Sequence, residues 1–169
     1  ETYDGHHMAV YAVKWNPFHE RIFISCSADW TVKLWDHNLK YPIMSLDLGN
    51  AVGDVCWSPY SSTVFAAVTS DGKAHIFDLT ENKHEPLCEQ KVVKRARLTH
   101  ASFNSKDFIL IVGDDRGGAN ALKLSPNLRK LHLPTDENGE IIPDADLNKV
   151  QHDKMEKLLS ALDAKPPPV

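Results

Sequence analysis

The chain has 169 residues, 42 % hydrophobic and 8 % aromatic, with a formal charge of −4. That is apolar content for one globular domain of ordinary size, and no run approaches the ~20 apolar residues of a membrane-spanning helix. From Pro134 onward stand eight acids and four lysines; the tail carries the whole imbalance, and the neutral remainder predicts neither nucleic acid nor a membrane as partner.

Cys26, Cys56 and Cys88 are an odd set without CxxC spacing. They read as free buried thiols in a reducing compartment, with no disulfide framework or zinc site indicated. The first residues do not read as a signal peptide, and the sequence does not begin with Met. Glu1–Tyr3 reads as the end of a strand already under way, so a fragment of a longer protein is expected.

In chain order, Asp4-Gly5-His6 is a turn. Val10–Trp15 (VYAVKW) is a strand stopped by Asn16-Pro17, since proline cannot donate to a ladder. Two further strands, Arg21–Ser27 and Thr31–Trp35, flank a tight turn through Ala28, Asp29 and Trp30. The second alternates with period two, Val32 and Leu34 to one face and Lys33 and Trp35 to the other. Ile43–Leu48 is the outer strand. A second set follows: Val52–Trp57, Thr63–Thr69, Lys73–Phe77 and Glu85–Glu89. A third has Leu98–Phe103, Phe108–Val112, Ala119–Leu124 and an outer strand over Leu128–Leu133.

The sets are copies. Trp35-Asp36 returns as Phe77-Asp78 after 42 residues, and Leu122 stands in that place 45 further on. Trp15-Asn16-Pro17 returns as Trp57-Ser58-Pro59. Short strands repeating every 40–45 residues are the pattern of an all-β propeller. Three blades cannot close a ring and leave two apolar faces open. Residues 1–133 are therefore expected to be the C-terminal blades of a longer propeller.

After Pro134 the texture changes. Residues 134–143 read as an acidic linker, and 144–169 as an amphipathic helix with a proline-rich end. Leu147, Val150, Leu158 and Leu162 fall near one helical face, with Met155 and Leu159 beside it. Asp144 or Asp146 is the N-cap, and Pro166–Pro168 end the helix. So short a helix is marginal alone, which calls for a surface: the underside of its own propeller, or a partner.

SCSADWTVKLWD, with its copies, resembles the WD-repeat family over residues 1–125. The wording is more specific still. SCSADWTVKLWDH, AVGDVCWSPYSSTVFAAVTSDGKAHIFDL and LKLSPNLRK are similar to the C-terminal repeats of dynein intermediate chains. The last two are most similar to the axonemal outer-arm type, of the first kind. The resemblance implies a non-enzymatic scaffold in the cytoplasm and cytoskeleton, at the axoneme of a cilium or flagellum. Its implied partners are a dynein heavy-chain tail, a second intermediate chain, and light chains held through an N-terminal region outside this sequence. No cofactor or metal is implied. Two alternatives stand beside it: a cytoplasmic dynein intermediate chain, and a WD-repeat adaptor in a chromatin or ubiquitin-ligase complex.

His6, Ser25 and Asp29 invite a hydrolase reading. The resemblance instead assigns His6, Ser25, Asp29 and Trp35 to a structural tetrad, a buried hydrogen-bond chain from indole to hydroxyl to imidazole to carboxylate. Ser25 lies mid-strand, without the exposed turn a nucleophile needs. Ala67 and Phe77 replace Ser25 and Trp35 in the second copy, so the device is expected once. His6-His7 lacks further ligands at metal spacing. Lys91, Lys94, Arg95 and Arg97 form a basic run in the same kind of loop as His6-His7. A partner-binding rim is therefore expected at His7, Trp30, Lys94, Arg95, Arg97, Asp115 and Arg116. Trp30 is bulky for a turn, and reads either as packed on the next blade or as an interface anchor.

Overall fold

The computed structural model describes residues 1–129 and 146–163. Strand β1 (Val10–Trp15), β2 (Ile22–Ser27), β3 (Thr31–Asp36) and β4 (Met44–Asp47) form one antiparallel sheet in that order. Strands β5 (Val52–Trp57), β6 (Val64–Thr69), β7 (Lys73–Asp78) and β8 (Cys88–Lys91) form a second in the same order. Strands β9 (Leu98–Phe103), β10 (Ile109–Asp114) and β11 (Ala119–Lys123) form a third. Each central strand of the first two sheets is buried almost throughout, as expected where both faces of a sheet are covered.

Register places an aromatic row at the same level of each full sheet. Trp15 pairs with Phe23 and Phe23 with Trp35; Trp57 pairs with Phe65 and Phe65 with Phe77. The inner rings stack, Phe23 on Trp35 at 5.9 Å and 6°, Phe65 on Phe77 at 4.9 Å and 9°. In the third sheet Phe103, Leu110 and Leu122 hold these places. The 42-residue period is thus a period of cross-strand packing.

Adjacent sheets meet through their first strands. Trp57 Nε1 donates to the Lys14 carbonyl at 3.1 Å, and Asn16 Nδ2 to the Ser62 carbonyl at 2.8 Å. Asp54 Oδ2 accepts the Ala101 amide of β9 at 2.9 Å. A Cβ on Gly53 would lie 2.3 Å from the Leu98 carbonyl oxygen, so this approach of β5 to β9 needs glycine. The sheets therefore run in the same sense. The β2–β3, β6–β7 and β10–β11 turns share one end, the turn end; the β1–β2 and β5–β6 loops share the opposite end.

Helix α1 (Leu147–Asp163) lies at the opposite end. Asp146 Oδ1 caps it, accepting the Asn148 and Lys149 amides at 3.1 and 3.4 Å. Met155, Leu158 and Leu159 enter the core shared by the first two sheets. Gln151, 1 % exposed, accepts the Ser62 amide at 3.0 Å. Glu156 takes Arg21 Nη2 at 2.6 Å and His19 Nε2 at 3.0 Å. The surface the helix needed is thus its own chain, across the seam between sheets one and two.

Several expectations are corrected. No strand forms over Glu1–Tyr3; Tyr3 instead packs edge-on against Phe23 and Trp35. The second outer strand starts at Cys88, not Glu85, because Pro86 cannot join the ladder. Pro126–Arg129 is a 3-10 turn, so the outer strand expected from Leu128 does not begin there; residues 130–133 lie outside the described residues. The buried helical face is centred on Gln151, Met155, Leu158 and Leu159; Leu147, one turn before Gln151 on the same side, is exposed because the sheets do not reach that end of the helix. The linker 134–143, Asp144 and the proline-rich end also fall outside the described residues.

Candidate functional site: the turn end

The β2–β3 turn is tied to the segment before β1. Trp35 Nε1 donates to Ser25 Oγ at 2.8 Å. Ser25 Oγ lies 2.7 Å from His6 Nε2, and His6 Nδ1 2.9 Å from Asp29 Oδ2. The His7 amide reaches the same Asp29 oxygen at 3.0 Å, and Thr31 Oγ1 donates to Asp29 Oδ1 at 2.6 Å. Burial pushes the Asp29 carboxyl up, but the bonds from Thr31, His7 and His6 outweigh it and hold the group well below the ordinary range. An ionised Asp29 assigns the Nδ1 proton to the bond with Asp29, leaving Nε2 to accept from Ser25.

These distances are those of a Ser-His-Asp triad, so the surroundings decide the chemistry. Ser25 is buried, its oxygen already accepts the indole N–H, and its backbone is paired mid-sheet with Val13 and Lys33. A nucleophile would have to break a satisfied network to reach a substrate. The arrangement acts as a weld: each orphaned member would cost about 1–3 kcal/mol.

The second sheet is welded by different residues. Thr69 Oγ1 donates to Asp71 Oδ1 at 2.5 Å and lies 3.1 Å from His75 Nε2. Lys73 bridges Asp71 and Glu89 at 3.5 and 2.6 Å. Burial pulls the His75 imidazole below its ordinary value, against the pull of Glu89 and Asp71. Sequence reasoning missed this network. Its signal was Asp71 standing 42 residues after Asp29.

The expected rim residues all lie at this end. His7, Trp30, Lys94, Arg95, Arg97, Asp115 and Arg116 are exposed. Lys94, Arg95, Arg97, Asp115 and Arg116 border one hollow with Lys91 and Asp71; Trp30 and His7 belong to the first sheet and stand apart from it. The Asp115 carboxylate accepts the Arg97 amide at 3.0 Å. Trp30 has φ +73°, while Gly72 and Gly117, at the corresponding turn positions, have +83° and +87°. Glycine takes that conformation freely; a residue with a side chain pays about 1 kcal/mol or more.

One cluster at the opposite end has metal-ligand chemistry. His19, His152 and Glu156 bring ligand atoms within 4.8 Å of one another. A metal lies in the plane of each imidazole it binds, yet His19 and His152 stack at 4.6 Å and 9°, so no point near both nitrogens lies in both planes. The Arg21 amide donates to His19 Nδ1 at 3.3 Å, which leaves the ring proton on Nε2, facing Glu156. As arranged, the cluster is a hydrogen-bonded clasp for the helix. Elsewhere, burial pushes the Cys26 and Cys56 thiols up to about 12, so at neutral pH neither is a thiolate.

Repeated antiparallel sheets, aligned through their first strands and welded at one end, define a WD-repeat propeller segment. A family model described as the dynein axonemal intermediate chain 3 WD40 domain matches residues 1–124. Ciliary dynein intermediate chain 2 of Heliocidaris crassispina is 57 % identical over 99 % of this chain and 24 % of its own length. The 78 kDa flagellar outer-arm intermediate chain of Chlamydomonas reinhardtii is 48 % identical over 88 % of this chain and 22 % of its own. Dynein axonemal intermediate chain 1 of Bos taurus is 55 % identical over 95 % and 22 %. The chain belongs to the axonemal dynein intermediate chain family. It spans about a quarter of the length of these relatives.

Proposed function

We propose that this chain is the propeller portion of a non-catalytic scaffold subunit of an outer-arm axonemal dynein, and that it holds the tail of a dynein heavy chain in a cilium or flagellum. The observation that carries this is the 48–57 % identity, over nearly the whole chain, to ciliary and flagellar intermediate chains. The geometry supports it in physical terms. The Ser25-His6-Asp29 constellation is consumed in holding a turn. Neighbouring sheets are hydrogen-bonded laterally and α1 clasps the first two, a rigid connection suited to a subunit between a motor and its track. A second intermediate chain, and light chains recruited by sequence beyond this segment, complete the proposed assembly.

The test is recovery of the full-length tagged subunit from ciliary axonemes. Heavy chain is expected to co-purify with it, and the tag to vanish from axonemes that lack outer arms. A tag that stays in the cell body and brings down cytoplasmic dynein would overturn the axonemal assignment.

A further inference from the structure

Two features of the turn end are not needed to hold the fold. The first is Trp30. Its counterparts Gly72 and Gly117 show that the turn itself asks for glycine. The Trp30 carbonyl accepts the Leu48 amide at 2.9 Å, a bond any residue would make, while the side chain is 52 % exposed. An indole is thus held to solvent on a backbone that disfavours it, the kind of strain that clusters at binding sites.

The second is charge. Lys91, Lys94, Arg95, Arg97 and Arg116 surround a hollow of about 520 Å³ whose acids are Asp71 and Asp115. Asp71 is taken up by Thr69 and Lys73, and Asp115 by the Arg97 amide. Among the described residues none of the five cations is in an ion pair; Lys91 is held by the Asp71 main-chain carbonyl, and Lys94, Arg95, Arg97 and Arg116 carry the open charge. Residues 1–133 are neutral overall, so this is a local excess of positive charge. No aromatic side chain lines the hollow, so it lacks the stacking platform that single-stranded nucleic acid uses.

We propose that the turn end binds an acidic segment of a partner protein. Its carboxylates seat on Lys94, Arg95, Arg97 and Arg116, and an apolar side chain seats on Trp30. The segment is an extended or helical run that crosses from the first sheet to the third. Arginine forks take carboxylates in bidentate fashion, and an exposed indole is a typical interface anchor. The proposal rests on the reading above, that the propeller holds another dynein chain, and assigns that chain's contact a chemistry and a place.

The experiment uses the full-length subunit and the co-purified heavy chain. Trp30→Gly installs the residue the turn prefers, so folding is retained and is checked by an unchanged or higher melting temperature. Trp30→Gly is expected to weaken heavy-chain association about tenfold or more. Lys94→Glu combined with Arg95→Glu is expected to do the same and to blunt the fall in association with rising salt. Undiminished binding by either variant, while the wild type still brings down heavy chain, overturns this surface and leaves the scaffold reading intact. A wild-type subunit that brings down no heavy chain overturns the scaffold reading, and this inference with it. Nucleic acid recovered on the wild type and lost from the charge variant, with heavy chain unaffected, also overturns it.

Discussion

Trp15 and Trp57 occupy the same place in two successive sheets, yet Trp15 is 59 % exposed and Trp57 8 %. The contrast extends along the strand: Val13 is 55 % exposed where Val55 is 0 %, and Val10 is open where Val52 is closed. The sequences VYAVKW and VGDVCW carry the same Val, Val and Trp at the positions compared, so residue type is not the cause. The difference is what lies against them. Val52, Val55 and Trp57 face the far side of the first sheet, packing with Ile22, Ile24, Val32 and Leu34. Among the described residues the matching face of the first sheet meets only Tyr3 and the segment around it. A propeller strand, then, has no burial of its own; its neighbour confers it.

That comparison is sharpest under mutation. Trp57→Ala is expected to destabilise the chain by about 3–5 kcal/mol in urea unfolding, while Trp15→Ala costs less than about 1 kcal/mol. Equal costs would mean that the open face is closed in solution. Met155→Ala, at a fully buried position between the helix and both sheets, is expected to cost about 2–5 kcal/mol. It should also release α1 to limited proteolysis. Ser25→Ala is expected to cost about 1–3 kcal/mol by orphaning the Trp35 indole and His6. Ala67→Ser in the second sheet should bring no matching gain, because Phe77 offers no N–H to the new hydroxyl.

The smallest effect is electrostatic. The hydrogen bond from His19 holds the Glu156 carboxyl below its ordinary value, with Arg21 adding to it against a modest burial penalty. A carboxyl lowered in the folded state binds its proton more readily when unfolded. Its contribution is therefore present above about pH 4.5 and is lost as the pH falls below that. Glu156→Gln is expected to flatten the acid limb of the stability curve below pH 4.5 and to leave the slope at neutral pH unchanged. Glu156 is partly exposed, so the effect is small and shrinks with salt.

How much of this was legible in the sequence follows from how local each signal is. Strand positions were readable because alternation and turn residues act over a few positions, and β1, β5 and β9 fall where their patterns put them. The tetrad's residues were readable because the resemblance supplies their pairing. The network of Thr69, Asp71, His75 and Glu89 was not, since nothing in a single strand says that a histidine will meet a threonine six positions earlier across a hairpin. The clasp of His19, Arg21 and Glu156 was less legible still. Its members are 135–137 positions apart, and no periodicity carries information over that span. Leu147 misled for a related reason: an apolar residue at the right helical angle is buried only if the docking surface extends that far.

The helix has one more consequence, and it concerns time. Residues 151–159 complete a core begun at Ile22, so a ribosome making this chain releases two finished sheets long before the piece that caps their seam. Until then Ser62 must leave its amide to water, and the apolar cleft that Met155 fills stands open to passing chains. A stop codon shortly after residue 129 would make that interval permanent. Such a product is expected to be soluble only with chaperone help, and to recover when α1 is supplied as a separate peptide.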